Sequence, residues 1–230
     1  MKIAGLQKNT LIDFPGKIAA TVFLSGCNFF CPWCYSPELV VPEKIKNHPF
    51  IPERDFFSFL GQRRGLLDGI VICGGEPTMN IDLPLFIKKI KDSGFAVKLD
   101  TNGSNPKMLK ELIAILDYVA MDIKVPKGKY GTVLKNIKIH DIQDSINILK
   151  QGKVDFEFRS TIVPTIHTKE DVLKMAEWIQ GKNIKYYLQK YRPEKTIDPS
   201  FEKIKPYSDE WMLEVQGEIS HYFQLCQIRG

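Results

Sequence analysis

A chain of 230 residues, 43% hydrophobic and 26% charged, carries enough apolar matter for a sizeable core, which excludes a disordered tail, a collagenous chain or a membrane bundle. Lys and Arg number 32 against 27 Asp and Glu, and the resulting +5 is too thin an excess over this length to point to nucleic acid. The opening Met1-Lys2-Ile3-Ala4-Gly5 lacks the basic and apolar regions of an export signal, and no window reaches about 18 uncharged apolar residues, so a cytoplasmic protein without membrane contact is expected.

Residues 1–17 read as an N-terminal extension to a single domain, and a first β-branched run predicts a strand over 18–24. A proline-punctuated stretch, 36–52, separates it from a second strand over 69–73. Leu83, Phe86, Ile87 and Ile90 recur at helical spacing, and Gly94 suits a left-handed cap before a third strand over 95–100. Asn105 and Pro106 open a helix that carries Leu109, Leu112, Ile113 and Leu116, followed by a fourth strand over 118–122. A Lys- and Gly-rich loop, 124–139, precedes a fifth strand over 154–163. Thr168, three before Asp171, starts a helix with Val172, Met175, Ala176 and Ile179, Gly181 reads as its left-handed cap, and a sixth strand runs over 184–189. Residues 193–230 read as a C-terminal helical segment beside a core of 18–192.

Alternating strands and helices imply a parallel sheet, as an incomplete barrel or a doubly wound sheet. The fifth strand helps to choose, because Asp155, Glu157, Arg159 and Thr161 fall on one of its faces. A strand covered by helices on both sides should be apolar on both, so a charged face points to a wet lumen and an α/β partial (βα)6 barrel. Such charges need partners, and Asp100 and Asp122, at strand ends on the loop-bearing rim, read as site residues. The histidines at 48, 140, 167 and 221 fall in predicted loops or helix ends and read as solvated.

Cysteines stand at 27, 31, 34, 73 and 226, an odd number that argues against a disulfide framework. Cys27-Asn28-Phe29-Phe30-Cys31-Pro32-Trp33-Cys34 is C-x3-C-x2-C directly after the first strand. Three thiolates suit a zinc site that borrows Cys73, His48 or Cys226 as a fourth ligand, and equally an iron-sulfur cluster with one iron left open. After the second strand comes Cys73-Gly74-Gly75-Glu76-Pro77, a tight turn or a backbone that approaches a ligand closely with a carboxylate placed to meet an amino group.

The cysteine triplet with Trp33 before its last cysteine, followed by Gly-Gly-Glu-Pro after the next strand, resembles the radical S-adenosylmethionine (radical SAM) superfamily. Gly5-Leu6-Gln7-Lys8, Ile12-Asp13-Phe14-Pro15-Gly16-Lys17, Asp100-Thr101-Asn102-Gly103 and Asp122-Ile123-Lys124 are similar to glycyl-radical-enzyme activating proteins, the group of anaerobic ribonucleotide reductase and pyruvate formate-lyase activases. The resemblance implies a 4Fe-4S cluster held by Cys27, Cys31 and Cys34, whose open iron takes the amino and carboxylate groups of S-adenosylmethionine. Reductive cleavage then yields a 5′-deoxyadenosyl radical that abstracts a hydrogen from the target.

Residue by residue, it implies that Gly74, Gly75 and Glu76 hold the methionine amino group and that Tyr35 meets the adenine. It also implies that Asp122 and Lys124 touch the cofactor and that Asp100 and Thr101 line a monovalent cation site. Trp33, Asn102, Arg159 and Gln189 complete the implied cofactor-binding set; Gln189 falls near where pyruvate formate-lyase activases carry a histidine. The implied partners are a glycyl radical enzyme as protein substrate and an electron donor such as flavodoxin or ferredoxin. Radical modification of another peptide, nucleoside or small molecule is the alternative within the class, and a non-catalytic zinc module the alternative outside it.

Overall fold

A computed structural model describes residues 1–134 and 137–230. Its eight strands form one sheet in strictly sequential order: β1 (Ile3–Thr10), β2 (Ala19–Leu24), β3 (Gly69–Gly74), β4 (Ala96–Thr101), β5 (Tyr118–Asp122), β6 (Asp155–Ile162), β7 (Gly181–Lys190) and β8 (Phe223–Arg229). From β2 onward every pair is parallel. A doubly wound sheet reverses its strand order midway, and this one does not, so the sheet wraps one way as a partial barrel.

Nine α-helices join the strands among the described residues: α1 (Pro37–Val40), α2 (Pro42–Lys46), α3 (Glu53–Gln62), α4 (Leu83–Asp92), α5 (Pro106–Leu112), α6 (Tyr130–Val133), α7 (Ile139–Lys150), α8 (Lys169–Ile179) and α9 (Asp209–Ile219). The predicted stripe of α4 is buried at Leu83, Phe86, Ile87 and Ile90. Asn105 caps α5 by accepting the Met108 N–H, and Thr168 and Asp171 close a reciprocal capping box on α8. No helix is long and apolar enough to cross a membrane among the described residues.

Three expectations change. The N-terminal extension supplies β1, antiparallel to β2, and the C-terminal segment adds β8 beside β7 as well as its helix. Gly181 opens β7, and the helix before it ends on Gln180 in an extended conformation. The stretches 36–52 and 124–139 carry α1, α2 and α6; Lys135 and Asn136 of the second lie outside the described residues.

The lumen is drier than the charged face of β6 implies. Glu157 is fully buried, receiving both Arg229 nitrogens, at 2.7 and 3.1 Å, and the Tyr118 hydroxyl at 3.0 Å. Toward the C-terminal strand ends, at Arg159 and Thr161, that face opens onto a cavity.

Candidate active site

At the C-terminal ends of the strands lies a cavity of about 320 Å³, within the range that accommodates small organic ligands. Cys27, Cys31, Trp33, Cys34 and Tyr35 line it from the loop after β2, Gly74 and Gly75 from the turn after β3, and Asp100, Thr101 and Asn102 from the end of β4. Asp122 and Lys124 line it from the end of β5, Arg159 from β6 and Gln189 from β7. Of the predicted site residues, Glu76 alone does not line it.

The cysteine loop is held by its neighbours. Gly26 N–H donates to Leu39 O at 2.7 Å, and Ile197 and Asp198 donate to the carbonyls of Cys34 and Pro32, each at 3.0 Å. Trp33 is buried between the rings of His167 and Phe201, with centroids 6.2 and 6.4 Å away. His167 is therefore a core residue and not a solvated one: its Nδ1 accepts Val163 N–H at 3.0 Å while Nε2 meets Lys124 O at 2.8 Å. Tyr35 remains half exposed at the rim.

The paired glycines serve the chain's own packing. A Cβ on Gly74, at φ +122°, would fall 2.2 Å from Leu24 O, and one on Gly75 would fall 2.1 Å from Gly26 O. That closeness lets Gly75 and Glu76 donate N–H bonds to Leu24 O and Gly26 O, at 2.8 and 2.7 Å, which fixes the cysteine loop against the turn.

Glu76 turns away from the cavity. Its carboxylate accepts from Thr78 N–H, the Thr78 and Thr101 hydroxyls and Asn102 N–H, at 3.0, 2.5, 2.7 and 2.6 Å. Burial raises its pKa, and these four bonds oppose that rise. Glu76 Oε1 thus takes three donors and Oε2 one, which ties this carboxylate to the turns after β3 and β4.

Across the cavity stands a charged wall. Asp122 and Arg159 are register partners on β5 and β6, and the Arg159 guanidinium bridges Asp122 Oδ1 at 3.0 Å and Asp100 Oδ2 at 2.8 Å. Lys124 Nζ donates to Asp122 Oδ2 at 2.9 Å, and Lys98 Nζ to Asp100 Oδ1. Burial opposes ionisation of Asp122, but Arg159 and then Lys124 outweigh it and bring the carboxyl down to about 2.

Burial pushes Cys27 and Cys31 up to about 12 and raises Cys34 as well, so all three are thiols until something electrophilic takes their protons' place. Among the described residues no three His, Cys, Asp or Glu side chains converge on one point, as a single ion requires. The thiols instead open onto a shared cavity, which fits a cluster of several irons with one thiolate to each. Of the fourth ligands that a zinc reading would borrow, Cys73 lines this cavity but His48 and Cys226 do not; His48 bonds Ala4 O at 2.7 Å, and Cys226 is buried in the core.

Gln7, Asp13 and Thr21 also line the cavity and were not predicted as site residues. The signal for the first two was their place in the N-terminal motifs; Thr21 follows from alternation along β2.

A family model described as the radical SAM superfamily matches residues 21–185. A Methanocaldococcus jannaschii protein named among the glycyl-radical enzyme activating enzymes is 33% identical over 229 residues, which cover 95% of this chain and 91% of that protein. A pyruvate formate-lyase-activating enzyme of Clostridium pasteurianum is 28% identical over 196 residues, covering 80% of this chain and 77% of that one. A radical SAM methyltransferase structure from Sphaerobacter thermophilus shares the fold, with a TM-score of 0.70 at 13% identity over 96% of this chain and 68% of that chain. Since the match extends over most of the chain, and the cavity gathers the motifs that carried the resemblance, this protein belongs to the radical SAM superfamily.

Proposed function

We propose that the chain activates a glycyl radical enzyme, removing a hydrogen from a backbone glycine of that larger partner. Its cofactors are those of the family, a 4Fe-4S cluster and S-adenosylmethionine. Together they supply one electron to the sulfonium and a 5′-deoxyadenosyl radical to the target. Cys27, Cys31 and Cys34 hold the cluster, and the turn at Gly74 and Gly75 presents backbone groups to the methionine end. Lys124 and Arg159, each anchored on Asp122, present positive charge toward a carboxylate, while Trp33 keeps one side of the loop free of water. The electron comes from a donor such as flavodoxin or ferredoxin.

The observation that carries this reading is the convergence of three thiols and a fixed Lys-Arg wall on one cavity, in a chain 33% identical to a protein named as an activating enzyme. Anaerobic reconstitution followed by reduction should give a brown protein that cleaves S-adenosylmethionine to methionine and 5′-deoxyadenosine. Incubation with the partner should then leave a persistent glycyl doublet in its electron paramagnetic resonance spectrum. Cleavage without any such doublet on candidate partners would redirect the reading to another radical substrate, and absence of cleavage would remove it.

A further inference from the structure

We propose that the ammonium of Lys98 is a built-in cation, held permanently in the place that the resemblance assigns to a free monovalent ion, so that S-adenosylmethionine binds here without added sodium or potassium. The inference rests on the reading of this cavity as the S-adenosylmethionine site.

Lys98 and Asp100 are two residues apart on β4, so both side chains point into the lumen, while Val97 and Leu99 between and before them face the helices as buried core. A lysine this deeply buried, with 1% of its side chain exposed, needs a fixed counter-charge, and Asp100 supplies it. The four carboxylate oxygens of the wall then have one fixed donor each. Lys98 takes Asp100 Oδ1, Arg159 takes Asp100 Oδ2 and Asp122 Oδ1, and Lys124 takes Asp122 Oδ2. The Thr101 hydroxyl is equally engaged, donating to Glu76 Oε1 at 2.7 Å and accepting Gly103 N–H at 3.1 Å.

Charge balance points the same way. Two carboxylates face three cations, which leaves the wall with one surplus positive charge before any ion arrives. A sodium or potassium ion at Asp100 and Thr101 would have to share carboxylate oxygens that already hold the Lys98 ammonium and the Arg159 guanidinium, and it would meet repulsion from both that the interior screens poorly. The residues present do not fit a free cation at this position. What they fit is an anionic group of the ligand in front of a wall whose charge is covalently attached and cannot be diluted away.

The test uses the oxidised holoenzyme in sodium, potassium and tetramethylammonium chloride at equal ionic strength. The dissociation constant for S-adenosylmethionine should agree within about twofold across the three salts, whereas binding about tenfold tighter in sodium or potassium would overturn the proposal. Sodium-23 resonances should show no broadening specific to the wild-type protein. Lys98→Met, checked for folding by circular dichroism, should bind about tenfold more weakly in tetramethylammonium, recover in sodium or potassium and broaden the sodium line. A Lys98→Met protein that binds equally well in all three salts would reduce Lys98 to a packing role and overturn the proposal. If that variant does not fold, Lys98→Gln takes its place, and the wild-type salt series decides by itself. Failure to bind S-adenosylmethionine in every salt would sink the reading of the site, while the sodium line widths would still report on the cation.

Discussion

Glu76 Oε2 accepts the backbone N–H of Asn102 at 2.6 Å, fastening the turn after β3 to the turn after β4. Thr101 on the same turn donates to the other oxygen, so one carboxylate holds two of the loops that form the cavity. Glu76→Gln keeps the shape but aims an NH2 group at a cluster of donors. The expected result is a loss of about 1–3 kcal/mol in urea unfolding, with weaker binding of S-adenosylmethionine although the side chain does not line the cavity. Unchanged stability and binding would show that the knot is dispensable.

The five cysteines should separate into two classes. Alanine at Cys27, Cys31 or Cys34 should abolish iron and acid-labile sulfide uptake during anaerobic reconstitution, because in the proposed site each would be the sole thiolate for one iron. Cys226, buried in the core away from the cavity, should tolerate alanine with full iron content and a modest loss of stability. Cys73 lines the cavity, and alanine there should leave the iron content intact. Iron loss in the Cys73 variant would make it a fourth ligand.

Arg229 reaches from the edge strand β8 to Glu157 with two hydrogen bonds, and its guanidinium lies 3.2 Å from the Tyr187 ring centroid. Arg229→Met leaves the fully buried Glu157 with only the Tyr118 hydroxyl as partner. Stability measured by urea unfolding should fall by about 2–4 kcal/mol, and the double variant with Glu157→Met should recover part of it. No recovery would place the loss in cation–π packing on Tyr187 instead.

His167 gives the fold a pH dependence. Burial lowers its pKa, and its Nδ1 accepts a hydrogen bond that protonation would break. The unfolded chain therefore takes up a proton near its ordinary pKa, about 6.5, while the folded chain does not. Stability should be full above that pH and decline as the pH falls toward the lowered folded value, with a slope of at most about 1.4 kcal/mol per pH unit. Urea titrations between neutral and mildly acidic pH should show this slope in the wild type and its reduction in His167→Gln. An identical slope in both proteins would show that His167 does not carry it.

The core strands, the N-caps of α5 and α8 and the cysteine triplet that lines the cavity were legible in the residue order. Thr168 and Asp171 cap α8 because a capping box is a contact between residues three apart, and Cys27, Cys31 and Cys34 share one loop. Strands β1 and β8 were not legible: the bulged Ile3–Thr10 has exposed residues where alternation would put a buried one, and Phe223–Arg229 follows a helix without a turn signal. Edge strands exist because a neighbour pairs with them, which local propensity does not report.

The same limit applies to individual side chains. Residue order placed Glu76 and Arg159 at the site, but which way each points depends on partners 26 and 37 residues distant in the chain, Asn102 and Asp122. It left His167 in solvent, where tertiary packing buries it behind Trp33. Short-range spacing determined the cysteine triplet and the glycine pair that the proposed site uses. Burial and cross-strand pairing, which are non-local, decided which charges face the ligand and which neutralise one another.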